Sequence, residues 1–524
     1  MDWQQTYPSS RSPICARNLV ASSQPLAVQA GLEALRRGGN AIDAALATAI
    51  TLTVVEPNNN GLGSDAFCIL WDGAQLTGLN ASGRAPRSWT RDRFSGLRQM
   101  PALGWGSVTV PGAVSAWVAL SARYGKLPFA HLFDRAIEYA EDGFQVGPKT
   151  AFYWKLAEST YGGFADFRDH FLPAPEAGSR VRRPDLARSL KLIAESRGEA
   201  FYRGELAERM AASAAPASGG LTREDLDAHT ADWVTPIAQP YRQVALHEIP
   251  PNGQGLAAQI ARGILGQRDA APLDSAEWFH VQIEAMKIAI RAAFDHLADP
   301  RAMRVPPEAL LDEGMLARVA DSIGVKAAPL PPAALNGELP AGPDTVYLAA
   351  ADAAGMMVSF IQSNYLGFGS GIVIPDTGIA MQNRGSGFSL DPDHPNCVGP
   401  GKRPYHTIIP GFVTQADAPR MAFGVMGGHM QHQGHVQMMG RVFDHQQNPQ
   451  LASDAPRWHI YPDFSVGLEP GFPEPVAREL SARGHAVRFE PLEHVFGGAQ
   501  LILRTEDGYV AGSDHRKEGQ AAGY

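Results

Sequence analysis

The stretch AIDAALATAITLTVVEP, residues 41–57, is apolar on nearly all sides when it is written as a helix. A helix of this kind belongs in the interior of a folded protein. Its longest uncharged run, residues 44–55, is well short of the ~20 residues that a membrane span needs. Asn40 stands just before the helix and Asp43 lies in its first turn, a pairing typical of a capped helix start. The chain is therefore expected to fold around a buried helix.

The composition excludes several classes of protein. With 524 residues, 44% hydrophobic and 19% charged, the chain is typical of a folded globular protein. A net charge of −9 argues against nucleic acid as a partner. Cys15, Cys68 and Cys397 are scattered singly, which favours a reducing compartment. The first residues, MDWQQTYPSS, do not resemble a secretory leader, so we expect a cytoplasmic protein with no membrane or nucleic-acid partner.

The pattern changes along the chain. Residues 115–320 show helical periodicity broken by Pro/Gly loops and are predicted to be helix-rich. Residues 325–344 contain five prolines and little apolar periodicity, which predicts an exposed connection. TVYLAAAD and MMVSFIQSNY follow as two strands joined by a short turn. Further on, APRMAFGVMGG predicts a strand that ends at a Gly-Gly turn.

Thr345 opens the first of these two strands. A threonine hydroxyl needs a nearby base before it becomes a useful nucleophile, and the residue's own α-amino group can be that base. An α-amino group with a pKa of about 7.7 to 8.0 is partly unprotonated near neutral pH, whereas an amide nitrogen is not basic. A cut between Asp344 and Thr345 would create the base. The local pattern alone fits an ordinary β-branched strand residue equally well.

Separated motifs along the chain distinguish these alternatives. They are, in order, GGNAIDAALATAITLTVVEP with NNNGLGSDAF, SVTVPGAVSAW with LFDRAIEYAEDGF, TVYLAAADAAGMMVSFIQSNYLGFGSGIVIPDTGIAMQN, GVMGG, SDAPRWH and the terminal AAGY. Together they resemble the γ-glutamyltranspeptidase family of self-cleaving N-terminal nucleophile hydrolases. The likeness covers nearly the whole chain.

The resemblance implies a fold and a processing event. The fold is α+β, a four-layer αββα sandwich. Autoproteolysis between Asp344 and Thr345 gives a large chain, 1–344, and a small chain, 345–524, which form one composite domain as a heterodimer that can pair further. Thr345 then carries the acyl group, Ser363 is the second hydroxyl beside it, and Gly427 and Gly428 form the oxyanion pair. No cofactor or metal is expected.

The chain departs from the family where transpeptidases hold the glutamyl group. Ser82 stands at the position of the arginine that binds the α-carboxylate, and Gly387 at that of the acid that grips the α-amino group. Three nearby arginines, Arg84, Arg384 and Arg403, can bind a carboxylate through two parallel hydrogen bonds. We therefore expect a substrate that has a carboxylate but no α-amino group.

Three further residues are expected in the substrate pocket. Tyr365 replaces an asparagine of the family, and His406 with Thr407 replaces its Ser-Ser pair. The altered pocket resembles those of cephalosporin acylase-like enzymes and of the oxamate amidohydrolase of purine breakdown. The leading prediction is hydrolysis of oxamate to oxalate and ammonia; γ-glutamyltransferase or glutathione hydrolase activity and a cephalosporin acylase-like activity are the alternatives.

Two hypotheses from other functional classes remain open, a metal hydrolase and a protein without catalytic activity. His429, His432 and His435 are spaced three apart, which could indicate a metal hydrolase, but no HExxH is present and Gly434 is expected to break a helix there. A family member that only binds or scaffolds is the other alternative. Retention of Thr345 argues against it.

Overall fold

The structure is a computed structural model that describes residues 10–329 and 343–524 of the chain. Of the predicted connection at 325–344, residues 330–342 lie outside the described residues, as do the side chains of Pro343 and Asp344.

The helices in this part of the chain are α1 (Pro25–Arg36), α2 (Ala41–Val55), α3 (Ala113–Tyr124), α4 (Asp134–Asp142), α5 (Pro148–Tyr161), α6 (Ala165–Phe171), α7 (Pro184–Ser196), α8 (Glu199–Tyr202), α9 (Glu205–Ala214), α10 (Arg223–Asp227), α11 (Gly255–Gly266), α12 (Ala276–His296), α13 (Pro307–Leu310), α14 (Glu313–Ser322), α15 (Met430–Met439), α16 (Pro449–Asp454) and α17 (Glu474–Ala482).

The strands are β1 (Ile14–Ala16), β2 (Leu19–Ser22), β3 (Asp65–Trp71), β4 (Leu76–Asn80), β5 (Phe144–Gln145), β6 (Arg180–Val181), β7 (Asp232–Val234), β8 (Ile237–Tyr241), β9 (Val244–Glu248), β10 (Pro343–Ala351), β11 (Met357–Leu366), β12 (Val373–Ile374), β13 (Ile379–Ala380), β14 (Gly411–Gln415), β15 (Ala418–Met426), β16 (Trp458–Ile460), β17 (Val466–Leu468), β18 (Val487–Phe489), β19 (Gly498–Arg504), β20 (Tyr509–Ser513) and β21 (Gln520–Gly523).

Two seven-stranded sheets form the centre of the molecule. One runs β1-β20-β19-β15-β14-β9-β8 and the other β21-β2-β10-β11-β3-β4-β7. Strands β10 and β11 of the second sheet contact β15 of the first. Buried apolar side chains such as Phe67, Tyr347, Phe412 and Ile502 form one cluster between the two sheets, so the sheets pack face to face.

Helices cover the outer face of each sheet. α1, α2 and α3 pack on the sheet that contains β10, while α4 packs on α2 and α7 on α4. α11 and α15 pack on the other sheet, and α12 packs on α11. The result is the predicted αββα order of layers. None of the helices that the structure describes is long and apolar enough to cross a membrane.

The predicted central helix is confirmed. Every residue of α2 is buried, and Asn40 and Asp43 form a capping box in which each side chain accepts a backbone N–H of the other residue.

The helix-rich interpretation of residues 115–320 was incomplete. Strands β7, β8 and β9 lie inside that range, and they extend the edges of both sheets.

The predicted hairpin at β10 and β11 is also confirmed, but β10 begins at Pro343, two residues before Thr345. Asp344 lies opposite Tyr365, and the register shifts before Val346, which lies opposite Gln362. The Asp344–Thr345 peptide bond is therefore part of a β-bulge, a feature that redirects a side chain out of the regular ladder. In the continuous chain the nitrogen of Thr345 is still an amide.

Candidate active site

Thr345 and Ser363 meet at the start of the hairpin. The Thr345 side chain is buried, with 1% exposed, and its Oγ1 donates a hydrogen bond of 3.1 Å to Ser363 Oγ. Ser363 Oγ also accepts the backbone N–H of Tyr365 at 2.8 Å. Gln431 Nε2, on α15, lies 3.4 Å from Thr345 Oγ1. Sequence reasoning missed Gln431, although it follows the Gly-Gly turn by only three residues.

The Gly-Gly turn lies between β15 and α15. Gly427 has φ of 124° and Gly428 has φ of 54°, conformations that favour glycine. A Cβ added to Gly427 would lie 2.9 Å from the Cα of Gly497, so the close approach also requires glycine. Gln254 Nε2 donates to the Gly428 carbonyl oxygen at 2.9 Å, which fixes the orientation of the Gly428–His429 peptide that follows the turn. Within the described residues, no backbone carbonyl accepts a hydrogen bond from the N–H of Gly427 or of Gly428.

Arg384 is the first residue of a single 3₁₀ turn, Arg384–Gly387. Its side chain is 2% exposed, and Nη1 donates to Thr407 Oγ1 at 2.7 Å. The guanidinium carbon lies 4.8 Å from the centre of the Tyr365 ring, a cation–π distance. Nε and Nη2 have no hydrogen-bond partner in the part of the chain that the structure describes. Burial lowers the pKa of Arg384 to about 10, so the group is still charged at neutral pH.

Tyr365 is held in place by its backbone as well as by its ring. Its φ is 82°, which is rare for a bulky residue. Burial raises the pKa of its phenol to about 12. Because the same residue donates its N–H to Ser363 Oγ and its ring lies beneath Arg384, it links the hydroxyl pair to the buried cation.

The other two candidate arginines are engaged differently. Arg84 is one-third exposed and forms ion pairs with Asp299 at 3.3 Å and Asp232 at 3.5 Å. Arg403 donates from Nε to the Ser82 carbonyl at 2.9 Å and from Nη1 to Asp232, leaving Nη2 alone without a partner among the described atoms. Of the three, Arg384 therefore offers two adjacent donors and has no ion pair with a carboxylate among the described residues.

His406 pairs with a residue that sequence reasoning missed. Its Nε2 lies 3.1 Å from Asp65 Oδ2, and both side chains are fully buried. The His406 ring packs edge-on against Phe67. Asp65 lies within the quoted motif NNNGLGSDAF, but nothing local indicates a partner 341 positions away. Thr407, the next residue, is the one that accepts from Arg384.

The structure also explains why the acid of transpeptidases cannot simply be restored. A Cβ added to Gly387 would lie 2.7 Å from the carbonyl oxygen of Tyr405, closer than such contacts occur. The turn at Arg384–Gly387 is thus built around a residue with no side chain.

The three histidines after the glycine turn do not converge. His435 Nδ1 lies 2.6 Å from Glu248 Oε1, while the rings of His429 and His432 are 6.5 Å apart. No group of three His, Cys, Asp or Glu side chains arranged to hold a metal occurs among residues 10–329 and 343–524. The expectation that Gly434 breaks the helix was wrong: α15 runs through it. A Cβ there would lie 2.6 Å from Val425, so glycine lets the helix pack closely on β15.

A sequence model of the family described as Gamma-glutamyltranspeptidase matches residues 27–524. The chain belongs to this family. The crystal structure of a cephalosporin acylase from Bacillus halodurans is similar to it, with 47% identity, a TM-score of 0.95 and coverage of 100% of this chain and 99% of that one.

Two curated relatives are 36% identical over 534 residues. The Oxamate amidohydrolase proenzyme of Klebsiella pneumoniae covers 98% of this chain and 99% of its own length. The Glutathione hydrolase-like YwrD proenzyme of Bacillus subtilis covers 98% and 100%. This γ-glutamyltranspeptidase family member is therefore a hydrolase of the N-terminal nucleophile class, in a family whose proenzymes are cut into two chains.

Proposed function

We propose that this enzyme hydrolyses a small amide whose acyl group carries a carboxylate and lacks an α-amino group, with oxamate as the first substrate to test. The observation that carries the proposal is Arg384, a buried cation with Nε and Nη2 unpartnered among the described residues. Two adjacent N–H donors match the two oxygens of a carboxylate. Leaving them unpaired in a buried site is costly, so a ligand that accepts from both is favoured.

The residues expected around the acyl group do not favour a glutamyl substrate. Ser82 donates its hydroxyl to Asn80 Oδ1 at 2.7 Å and provides no cation. Gly387 provides no acid, and the position has no room for one. An α-ammonium group beside Arg384 would meet a charge of the same sign. These three features together favour an acyl group with only the carboxylate.

The reaction begins with processing of the proenzyme, for which we propose the Asp344–Thr345 bond. Processing converts the Thr345 amide into an amine. The amine takes the hydroxyl proton, Oγ1 attacks the substrate carbonyl, and the N–H groups of Gly427 and Gly428 stabilise the oxyanion. The amine then returns the proton to the leaving nitrogen, so ammonia departs. Water repeats the sequence on the ester to release the acid and the free hydroxyl.

A longer acyl group is the second candidate. The cephalosporin acylase structure from Bacillus halodurans, at 47% identity, is more similar to this chain than the two curated relatives described above. The same Arg384 donors would then bind the distal carboxylate of a dicarboxylic monoamide, such as a glutaryl amide. The two candidates share the carboxylate and differ in the length of chain between it and the scissile bond.

A panel of three amides tests the proposal. The processed enzyme should release ammonia from oxamate or aniline from glutaryl anilide, and it should act poorly on γ-glutamyl anilide. Oxamate turnover favours the short acyl group, and glutaryl turnover favours the acylase alternative. Efficient turnover of γ-glutamyl anilide, with glycylglycine as an acceptor raising the rate, would contradict the proposal.

A further inference from the structure

The buried Asp65–His406 pair has no part in the reaction sequence given above, although it lies against the residues that perform it. Asp65 is opposite Ser363 in the pairing of β3 with β11. His406 directly precedes Thr407, which accepts from Arg384. Both members are fully buried and 3.1 Å apart, so a change in the charge of the pair is felt at the acyl pocket.

The groups that face Asp65 come from several elements. Among the neighbouring charges, that of Arg384 lowers the pKa of Asp65 most, and that of Arg403 also lowers it. The backbone N–H of Gly83 donates to Oδ1 at 3.1 Å. The charge of Asp65 also helps to raise the pKa of the buried phenol of Tyr202, on α8, which burial raises most. Arg403 is already paired with Asp232, so Arg384 is the cation that Asp65 balances.

A substrate carboxylate changes this balance. When Asp65 is ionised, its charge offsets that of Arg384, and an incoming carboxylate leaves the buried site with a surplus negative charge. When the pair holds one more proton, Arg384 and the carboxylate neutralise each other. An unbalanced charge in a buried site is much more costly than a balanced pair.

We infer that the Asp65–His406 pair takes up a proton when a carboxylate binds beside Arg384, and that these two residues thereby determine which acyl groups the pocket accepts. This inference rests on the carboxylate specificity proposed above. His406 Nδ1 accepts the backbone N–H of Ile408 at 3.4 Å, so Nε2–H donates to Asp65 Oδ2, and the added proton is taken up by the Asp65 carboxylate. A neutral acyl group of the same shape requires no uptake.

The titration range of the pair makes the coupling measurable. Burial raises the pKa of Asp65 to about 7, and burial together with Arg384 and Arg403 holds the pKa of His406 well below its usual value. His406 is therefore neutral at pH 7, while Asp65 gains or loses its proton near neutral pH. Bound carboxylate raises the Asp65 pKa further, because it adds a negative charge nearby. Carboxylate binding should weaken as pH rises above 7.

Isothermal titration of the processed enzyme with sodium oxalate and with sodium glutarate, in buffers of different ionisation enthalpy, measures the uptake. Near pH 7 we expect net proton uptake on anion binding, because burial raises the pKa of Asp65 to about 7. Between pH 7 and 9 the affinity should fall about tenfold or more. The Thr345 α-amino group also titrates in this range, so Asp65→Asn is the deciding comparison. It should bind the anion without this uptake, and its affinity should vary little over the same pH range.

The outcomes are separable. Anion binding without proton uptake in the wild type, or uptake that persists unchanged in Asp65→Asn, overturns the inference and leaves the proposed function standing. Binding that is equally weak in wild type and Arg384→Gln overturns the proposed carboxylate specificity itself. If Asp65→Asn is not processed, His406→Gln should shift the pH of half-maximal uptake, and an unshifted midpoint contradicts the inference.

Discussion

Replacing Arg384 by glutamine should remove carboxylate recognition while sparing the nucleophile. The variant loses the charge and the two donors, Nε and Nη2, that have no partner among the described residues. A hydrogen bond to a charged group contributes about 1.5 to 3 kcal/mol, so two such bonds contribute at least about 3 kcal/mol. Since 1.36 kcal/mol corresponds to a factor of ten, kcat/KM for oxamate should fall about 150-fold or more.

The assay compares oxamate with oxamide, in which an amide replaces the carboxylate at nearly the same size. Ammonia release from oxamide should change much less in Arg384→Gln, because the neutral amide has no negative charge for the cation to bind. Arg84→Gln is the matched control, since Arg84 is partly exposed and occupied by Asp232 and Asp299. An equal loss on both substrates, or a loss in Arg84→Gln as large as that in Arg384→Gln, would refute the reasoning.

Three further predictions concern the framework of the site. Gly427→Ala places a Cβ 2.9 Å from the Cα of Gly497 at a φ of 124°. It should displace an oxyanion donor and so lower kcat at least about a hundredfold, with a smaller change in KM. An unchanged kcat would contradict the role of Gly427 in the oxyanion site. Gly387→Asp should gain no γ-glutamyl anilide activity, because its Cβ meets the Tyr405 carbonyl at 2.7 Å; such a gain would contradict the geometry. Asn40→Ala should cost about 1 kcal/mol of stability through loss of the α2 cap, seen as a lower midpoint in urea; an unchanged midpoint would show that the cap contributes little.

The local sequence pattern was sufficient to predict some helices and strands. Continuous apolar character and a capping pair specified α2, because burial and end capping are read from neighbouring residues. The β10–β11 hairpin followed from two apolar runs and a short turn. Strands β8 and β9 were missed because PIAQPYRQVALHE is short and contains two prolines, of which Pro240 is tolerated because β8 is an edge strand.

The site was predictable only in part. The positions of Thr345 and Ser363 followed from family motifs, and the structure brings the two hydroxyls to 3.1 Å. The sequence could not distinguish Arg384 from Arg84, because the difference lies in the distant carboxylates that occupy Arg84. The Asp65–His406 contact was equally hidden, since it joins residues that only the stacking of the layers brings together.

Intact-mass measurement of the purified protein, followed by N-terminal sequencing, tests the central claim most directly. The account predicts two chains, 1–344 and 345–524, the second beginning at Thr345, with the acyl group of a slow substrate found on that residue. Thr345→Ala should remain one uncut chain without activity. An enzyme that is active while uncut, or that carries its acyl group elsewhere, would contradict the account.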